Sequence, residues 1–354
     1  MTLAAAKPPT AVAYALGRLA EGASLTADEA AAAFGAVMRG EASDLQISAL
    51  LMGLRAKGET AEEIAGAAAA LRGAMLQLRA DAPETLVDTC GTGGGAVGTI
   101  NVSTAAAFVV AGLGVRVAKH GNRSYTSRSG SADVLEALGV DISLPPERAA
   151  EVLVETGLVF LFAPNYHPAM RHVAPARRAL GVPTIMNLLG PLANPAGVRR
   201  QVIGVADRVR GPLLAEALRR LGAAHALVVH GMVGMDEISP SGPSVVWEVL
   251  EGRVVEWSVD PDAHGLGAEA LNGLAGGDPA ENARKIERLL RGGGNGRGGA
   301  ARAAVVLNAA AALYVAGLGV SFAAAVRRAE EALAAGAGWT MLERLRRAAP
   351  ATAG

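Results

Sequence analysis

A change of periodicity near Thr85 constrains the fold of this chain more than any other feature. Before it, apolar residues recur at helical spacing in AAAAFGAVM, ISALLMGLRAKG and IAGAAAALRGAM. Each run is preceded by a hydroxyl residue with Glu or Gln three positions on: Thr26 with Glu29, Ser43 with Gln46, Thr60 with Glu63. That spacing lets side chains satisfy the orphan amides of a helix start, so residues 1 to about 78 read as all-helical. After Thr85, short apolar strands alternate with helices: TLVDTC, a helix over 103–113, VRVAKH, helices over 132–138 and 146–156, LVFLFA, RQVIGVA, a helix over 211–221, then HALVVHG. Such alternation predicts an α/β domain whose central, mainly parallel sheet is flanked by helices. VVWEVLEGRVVEWSV reads as a hairpin turning at Glu251-Gly252, RGGGNGRGGA at 291–300 as a flexible loop between helices, and no internal repeat is found.

Composition narrows the function classes. Lys plus Arg equals Asp plus Glu at 33 each, so no long-range field favours nucleic acid or an anionic membrane, and any anionic ligand must be caught locally. With 51% hydrophobic residues over 354 positions a large core is available, while the apolar runs are broken by Gly and fall short of a membrane span. The N-terminus shows no signal-peptide pattern. The single cysteine, Cys90, excludes an intrachain disulfide framework, suits a reducing cytoplasm and reads as an inert small core residue.

The chemistry-bearing residues follow strands. Gly91, Gly93, Gly94 and Gly95 come directly after the first strand and lead to a helix near Ser103. Lacking Cβ atoms, they let several N–H groups converge beside a helix start, which suits phosphate; the competing reading is a structural turn. The stretch is neither a P-loop nor a dinucleotide fingerprint. Lys119-His120-Gly121-Asn122-Arg123 follows the next strand, with Ser124, Thr126, Ser127, Ser129 and Ser131 close behind. A cation, amides and hydroxyls in one loop also suit a phosphate or diphosphate, against the alternative of an exposed loop capped by Ser131. Asp236 and Glu237 follow HALVVHG; an isolated Asp-Glu pair reads as surface charge, but opposite two phosphate-type loops adjacent carboxylates would hold Mg²⁺, which takes hard oxygen ligands and is completed by water and phosphate. His167-Pro168 and Arg177-Arg178 follow LVFLFAPNY, and an arginine fork there could hold a carboxylate; the competing reading, favoured on the spacing alone, is an arginine on an exposed helix face. Neither a nucleophile triad nor a zinc spacing is present.

Taken together, GTGG at 91–94, NVST at 101–104, KHGNR at 119–123, SGSADVLEALGV at 129–140, FAPNYHPAMRHVAPARRALG at 162–181, NLLGPLANPAG at 187–197 and MDEIS at 235–239 resemble the anthranilate phosphoribosyltransferase family, in order and over nearly the whole chain. The resemblance implies Mg²⁺-dependent transfer of the phosphoribosyl group of phosphoribosyl diphosphate (PRPP) to the amine of anthranilate, in tryptophan biosynthesis. It implies a helical domain at 1–78, joined by helices from about 168–195, an α/β domain over 79–354, and a cytoplasmic homodimer paired through the helical part. PRPP would be cradled by Gly91, Gly94, Gly95 and Thr99, then by Asn101, Val102, Ser103 and Thr104. Lys119, His120, Gly121, Asn122, Arg123, Ser124, Tyr125, Thr126 and Ser127, with Ser131, would complete the cradle. Ser103, Asp236 and Glu237 would hold two Mg²⁺ ions; Gly91, Asn122 and Arg177 would face anthranilate, with His120 and His167 lining its approach. No acid or base is assigned, because the aromatic amine is already neutral and Arg177 and Asn122 would act by positioning. Another pentosyltransferase of the same fold, or a paralogue that binds nucleic acid, are the rival readings.

Two positions depart from the family pattern. The family reads GTGGDG where this chain has Gly93-Gly94-Gly95-Ala96, and DGLDE or DGMDE where it has Val233-Gly234-Met235-Asp236-Glu237. An acid is therefore missing at Gly95 and at Val233, which implies altered Mg²⁺ or PRPP dependence.

Overall fold

The computed structural model describes residues 9–124, 128–292 and 299–351. Tyr125, Thr126 and Ser127 lie outside them, as does most of the glycine loop at 291–300. The chain forms two compact units, one of residues up to Met75 with His167–Ala193, the other of Leu76–Tyr166 with Asn194 onward.

In the helical unit, α1 (Ala11–Ala20), α2 (Ala27–Met38), α3 (Asp44–Lys57) and α4 (Ala61–Ala74) begin where the capping residues stand, and all three expected boxes are formed. Glu63 does more than cap. Its fully buried carboxylate accepts from Leu25 N at 2.9 Å, Thr60 N at 2.8 Å and Lys57 Nζ at 3.0 Å, so the burial of this charge is compensated. Small residues let α2 and α4 approach closely: a Cβ on Gly66 would collide with the Ala27 carbonyl oxygen. Helices Ala174–Leu180 and Met186–Leu192 return to this unit, where Arg72 Nε donates to Leu192 O at 2.6 Å. Buried Ile47, Leu50, Leu51 and Leu54 give α3 its inward face, each contributing about 2 kcal/mol of burial.

The second unit is built on seven strands in the order β3-β2-β1-β4-β5-β6-β7. β1 (Val87–Gly91), β2 (Val117–Gly121), β3 (Leu158–Phe162), β4 (Arg200–Gly204) and β5 (His225–Gly231) are parallel; β6 (Ser244–Leu250) and β7 (Arg253–Val259) are antiparallel additions. The expected hairpin turn is present, with positive φ at Glu251 (50°) and Gly252 (72°), the geometry that matches strand twist. α5 (Val102–Gly112) is almost wholly buried and fills the core beneath β1 and β2, while α6 (Ser131–Ala137) follows the KHGNR loop. Cys90, expected inside the core, is half-buried at the end of β1; desolvation and the Asp88 charge keep its thiol protonated well above the usual range. No described helix is long and apolar enough to cross a membrane.

Candidate active site

β1 lies between β2 and β4, so the chain leaves its carboxyl end toward one side and that of β4 toward the other; open α/β sheets form their ligand crevice at such a switch. The two strands finish level, with Gly91 paired to Gly204, and Thr92 N donates to Gly204 O at 2.9 Å. Beyond them, Gly93 and Gly94 adopt φ of 70° and 83°, which only glycine takes without strain. The loop then docks on the segment after β5, where Ala96 N donates to Gly234 O at 3.0 Å.

This docking encloses Asp236. A Cβ on Gly95 would stand 2.8 Å from Asp236 Oδ1, one on Gly91 would stand 3.1 Å from Oδ2, and one on Gly204 would overlap the Asp236 carbonyl oxygen. The glycines of β1, its loop and β4 thus hold a carboxylate as well as freeing N–H groups. Burial raises the Asp236 pKa, opposed in part by hydrogen bonds from its own and the Gly93 backbone. Glu237 is raised to about 8, first by burial and then by the Asp236 charge.

Glu237 reaches the start of α5, where Ser103 N donates to its Oε1 at 3.1 Å. Lys119, buried in the middle of β2, donates to Ser103 Oγ at 3.1 Å and to the Thr89 carbonyl oxygen. Desolvation lowers the Lys119 pKa while Asp88, Cys90 and Glu237 oppose the shift. Lys119, Ser103 and the adjacent acids Asp236 and Glu237, from three separate segments of the chain, therefore form one cluster. Among the described residues no three His, Cys, Asp or Glu side chains come together as a metal cage. The set offers two carboxyl groups and a hydroxyl, all hard oxygen donors, and burial disfavours the charged form of both acids, a cost that a divalent cation would relieve; this fits Mg²⁺ completed by water and phosphate.

The other candidates are placed less uniformly. Asn101 precedes α5, but its side chain spans Ser129 O and Asn282, each at 3.0 Å. Val102 and Thr104 are 1% exposed, so a ligand would meet their backbone and not their side chains. Thr99 pairs with Ala275 in an isolated bridge. His120 is buried at the end of β2 and Asn122 stands half-exposed beyond it. Ser131 does not cap α6: the cap position is Gly130, whose N–H is accepted by Asp133 Oδ2 at 2.8 Å, and Ser131 Oγ donates to Asn122 O at 3.4 Å. Arg123 is drawn to acids of α6. In the helical unit, His167 is buried with its pKa lowered to about 4 by desolvation, against the opposing hydrogen bond to the Ala193 backbone. Arg177 is half-exposed in the last turn of the Ala174–Leu180 helix.

Three supporting residues escaped the sequence reading. Fully buried Asp88 accepts from His120 N at 3.2 Å and from Asn194 Nδ2 at 2.8 Å. Asn194 also donates to Ala118 O at 2.8 Å and accepts from Ala196 N at 2.9 Å, so it ties the ends of β1 and β2 together. Asn308, on the buried helix Ala300–Val315, accepts from Ile238 N at 3.0 Å and donates to Ile238 O at 2.9 Å, pinning the segment that carries the two acids. A lone Asn in VLNAAAALYV was the available signal.

Comparison with known proteins gives a consistent result. Residues 83–339 match the model of the glycosyl transferase family a/b domain, and residues 13–75 match its helical bundle domain. The chain is 52% identical over 340 residues to anthranilate phosphoribosyltransferase of Rubrobacter xylanophilus, covering 96% of this chain and 98% of that one. Its structure resembles the Thermus thermophilus anthranilate phosphoribosyltransferase with a TM-score of 0.88 at 46% identity, over 94% of this chain and 98% of that one. It also resembles the Saccharomyces cerevisiae enzyme in complex with PRPP and Mg, with a TM-score of 0.86 at 28% identity, over 96% and 98% of the two chains.

Proposed function

This chain belongs to the anthranilate phosphoribosyltransferase family, glycosyltransferases of tryptophan biosynthesis, and from that premise we propose that it transfers the 5-phosphoribosyl group of PRPP to the amine of anthranilate. The reaction breaks the bond from ribose C1 to diphosphate, forms the bond from C1 to nitrogen, and gives N-(5-phosphoribosyl)anthranilate, diphosphate and the proton released by the amine. The observation that supports this reading best is the clustering of Asp236, Glu237, Ser103 and Lys119 beside the glycine loop at the β1–β4 switch.

As the bond breaks, positive charge grows on the sugar and negative charge on the leaving diphosphate. The backbone amides around Gly93 and Gly94, the start of α5 and the Lys119 cation are the donors assigned to the diphosphate. Asp236, Glu237 and Ser103 would hold Mg²⁺, two ions by the family pattern, which when bound supplies positive charge opposite the leaving group. Because the attacking amine is neutral, proximity to C1 suffices in place of a general base. Asn122 and Arg177 are the residues assigned to anthranilate, the guanidinium by its match to a carboxylate, with Gly91, His120 and His167 as the further neighbours implied by family membership.

Loss of anthranilate fluorescence on mixing protein, PRPP and Mg²⁺ tests the reading; no PRPP-dependent loss at any Mg²⁺ concentration overturns it. We also infer a homodimer formed through the helical unit, supported by apolar side chains left exposed on α1 and α3: Tyr14 at 44%, Leu45 at 81% and Met52 at 36%. A monomeric mass by light scattering counts against that. A cytoplasmic location is supported by the lone free thiol and is checked by cell fractionation.

A further inference from the structure

The family resemblance groups Arg123 with the residues that would cradle PRPP, yet its guanidinium is already bound along two edges. Nη1 donates to Glu136 Oε2 at 2.6 Å and to Asp133 Oδ1 at 2.9 Å, and Nη2 donates to Glu136 Oε1 at 2.8 Å. The same group lies 5.7 Å from the centre of the Phe162 ring at the end of β3. A single exposed ion pair contributes little, but a two-pronged fork shared with a second carboxylate and backed by an aromatic face is the exception. With two acids around one cation, the local charge is negative, which repels a diphosphate.

The acids are themselves tied to the loop. Asp133 Oδ2 accepts from Gly130 N at 2.8 Å and Ser124 N at 3.3 Å, so one carboxylate joins the segments entering and leaving the loop. They pass at backbone contact, since a Cβ on Gly130 would collide with Ser124 N. Asn122 sits at the head of this junction: its carbonyl accepts from Ala132 N at 3.3 Å and its Oδ1 from Arg123 N at 2.8 Å.

We propose that Arg123 is a positioning residue and not a diphosphate ligand: clipped to Glu136 and Asp133, it fastens Asn122–Ser124 to α6 and so presents Asn122 in one orientation. The consequence for the reaction rests on the PRPP reading above; the clip itself does not.

The two roles predict opposite effects of removing Glu136. Because Asn122 and Ser124 also belong to the PRPP cradle assigned above, in the full-length protein Arg123→Met and Glu136→Gln should each raise KM for PRPP by a similar factor, roughly three- to tenfold, with kcat little changed and the double variant no worse than either single one. Arg123→Lys should recover part of the loss. If Arg123 instead binds diphosphate, Glu136→Gln frees it, and KM for PRPP falls or stays level while Arg123→Met alone raises it; that pattern overturns the proposal. Unchanged KM in both variants overturns it as well. Hydrogen exchange at the Arg123 and Ser124 amides reads the clip without turnover: faster exchange in Glu136→Gln supports it and unchanged exchange overturns it. Wild type that never consumes anthranilate defeats the functional reading and leaves the exchange result to decide the clip.

Discussion

Asp236 Oδ1 lies 2.8 Å from the point where a Cβ on Gly95 would stand, so Gly95, one of the two departures from the expected family pattern, abuts the candidate metal ligand. Gly95→Asp must displace the Asp236 carboxylate and adds a like charge beside it. More ligand charge strengthens divalent-cation binding, so the variant should reach half-maximal activity at Mg²⁺ concentrations about threefold lower or less still. Calorimetric Mg²⁺ titration without substrates and the activity profile with them both report this. Superimposable curves for variant and wild type would show that position 95 has no part in cation use.

Gly204→Ala should be far more damaging. Its Cβ would occupy the place of the Asp236 carbonyl oxygen, and backbone cannot swing aside as a side chain can. Moving the acid-bearing segment by an ångström should lower kcat/KM by about a hundredfold. Gly98→Ala, in the glycine loop after β1 and with open space at its Cβ, serves as the control and should stay near wild type. Equal effects of the two substitutions would refute the enclosure.

Asn194→Ala leaves Asp88 Oδ2 and Ala118 O without their shared donor in a buried place. Although His120 N still donates to Asp88, removing one donor from a buried carboxylate and carbonyl should cost about 3 kcal/mol, read as a lower urea midpoint. A midpoint within error of wild type would mean that the clamp is replaceable.

His167 should make stability fall in mild acid. Its folded pKa is lowered to about 4 from an ordinary value of 6.5, so the unfolded chain takes up the proton first. The stabilising contribution of the neutral ring is complete above about pH 6.5 and is lost as pH falls toward about 4, up to roughly 3 kcal/mol in all. His167→Gln should flatten the stability curve in that window. Parallel curves for the two proteins would place the acid sensitivity elsewhere.

Arg177→Ala should raise KM for anthranilate about tenfold or more while leaving KM for PRPP near wild type, as expected for loss of a carboxylate fork. A rise confined to PRPP would reassign the residue.

Much of this architecture was legible because it is written locally. The capping boxes at Thr26, Ser43 and Thr60 need only residues three apart, and the strand–helix alternation after Thr85 needs only a change of period. The loops of the candidate site were legible for the same reason: glycines, a cation and paired acids follow apolar strands. What stayed hidden depends on partners distant in sequence. Gly204 gains its meaning only from the pairing of β4 with β1 and the arrival of Asp236. Asp88, Asn194 and Asn308 look unremarkable until the strands and the buried helix bring their partners close. Arg123 sits in the expected loop, but its orientation is set by Asp133 and Glu136 on the following helix.

The level ending of β1 and β4 has a bearing on how the sheet assembles. Opposite Gly91 stands Gly204, flanked by Ile203 and Val205. A slip of one residue would bring a branched side chain into the space that Asp236 occupies and turn each side chain of β4 to the other face. Only the true alignment admits the acid, so the seat of Asp236 also proofreads the strand pairing: a misaligned sheet cannot close over the carboxylate at its own crevice.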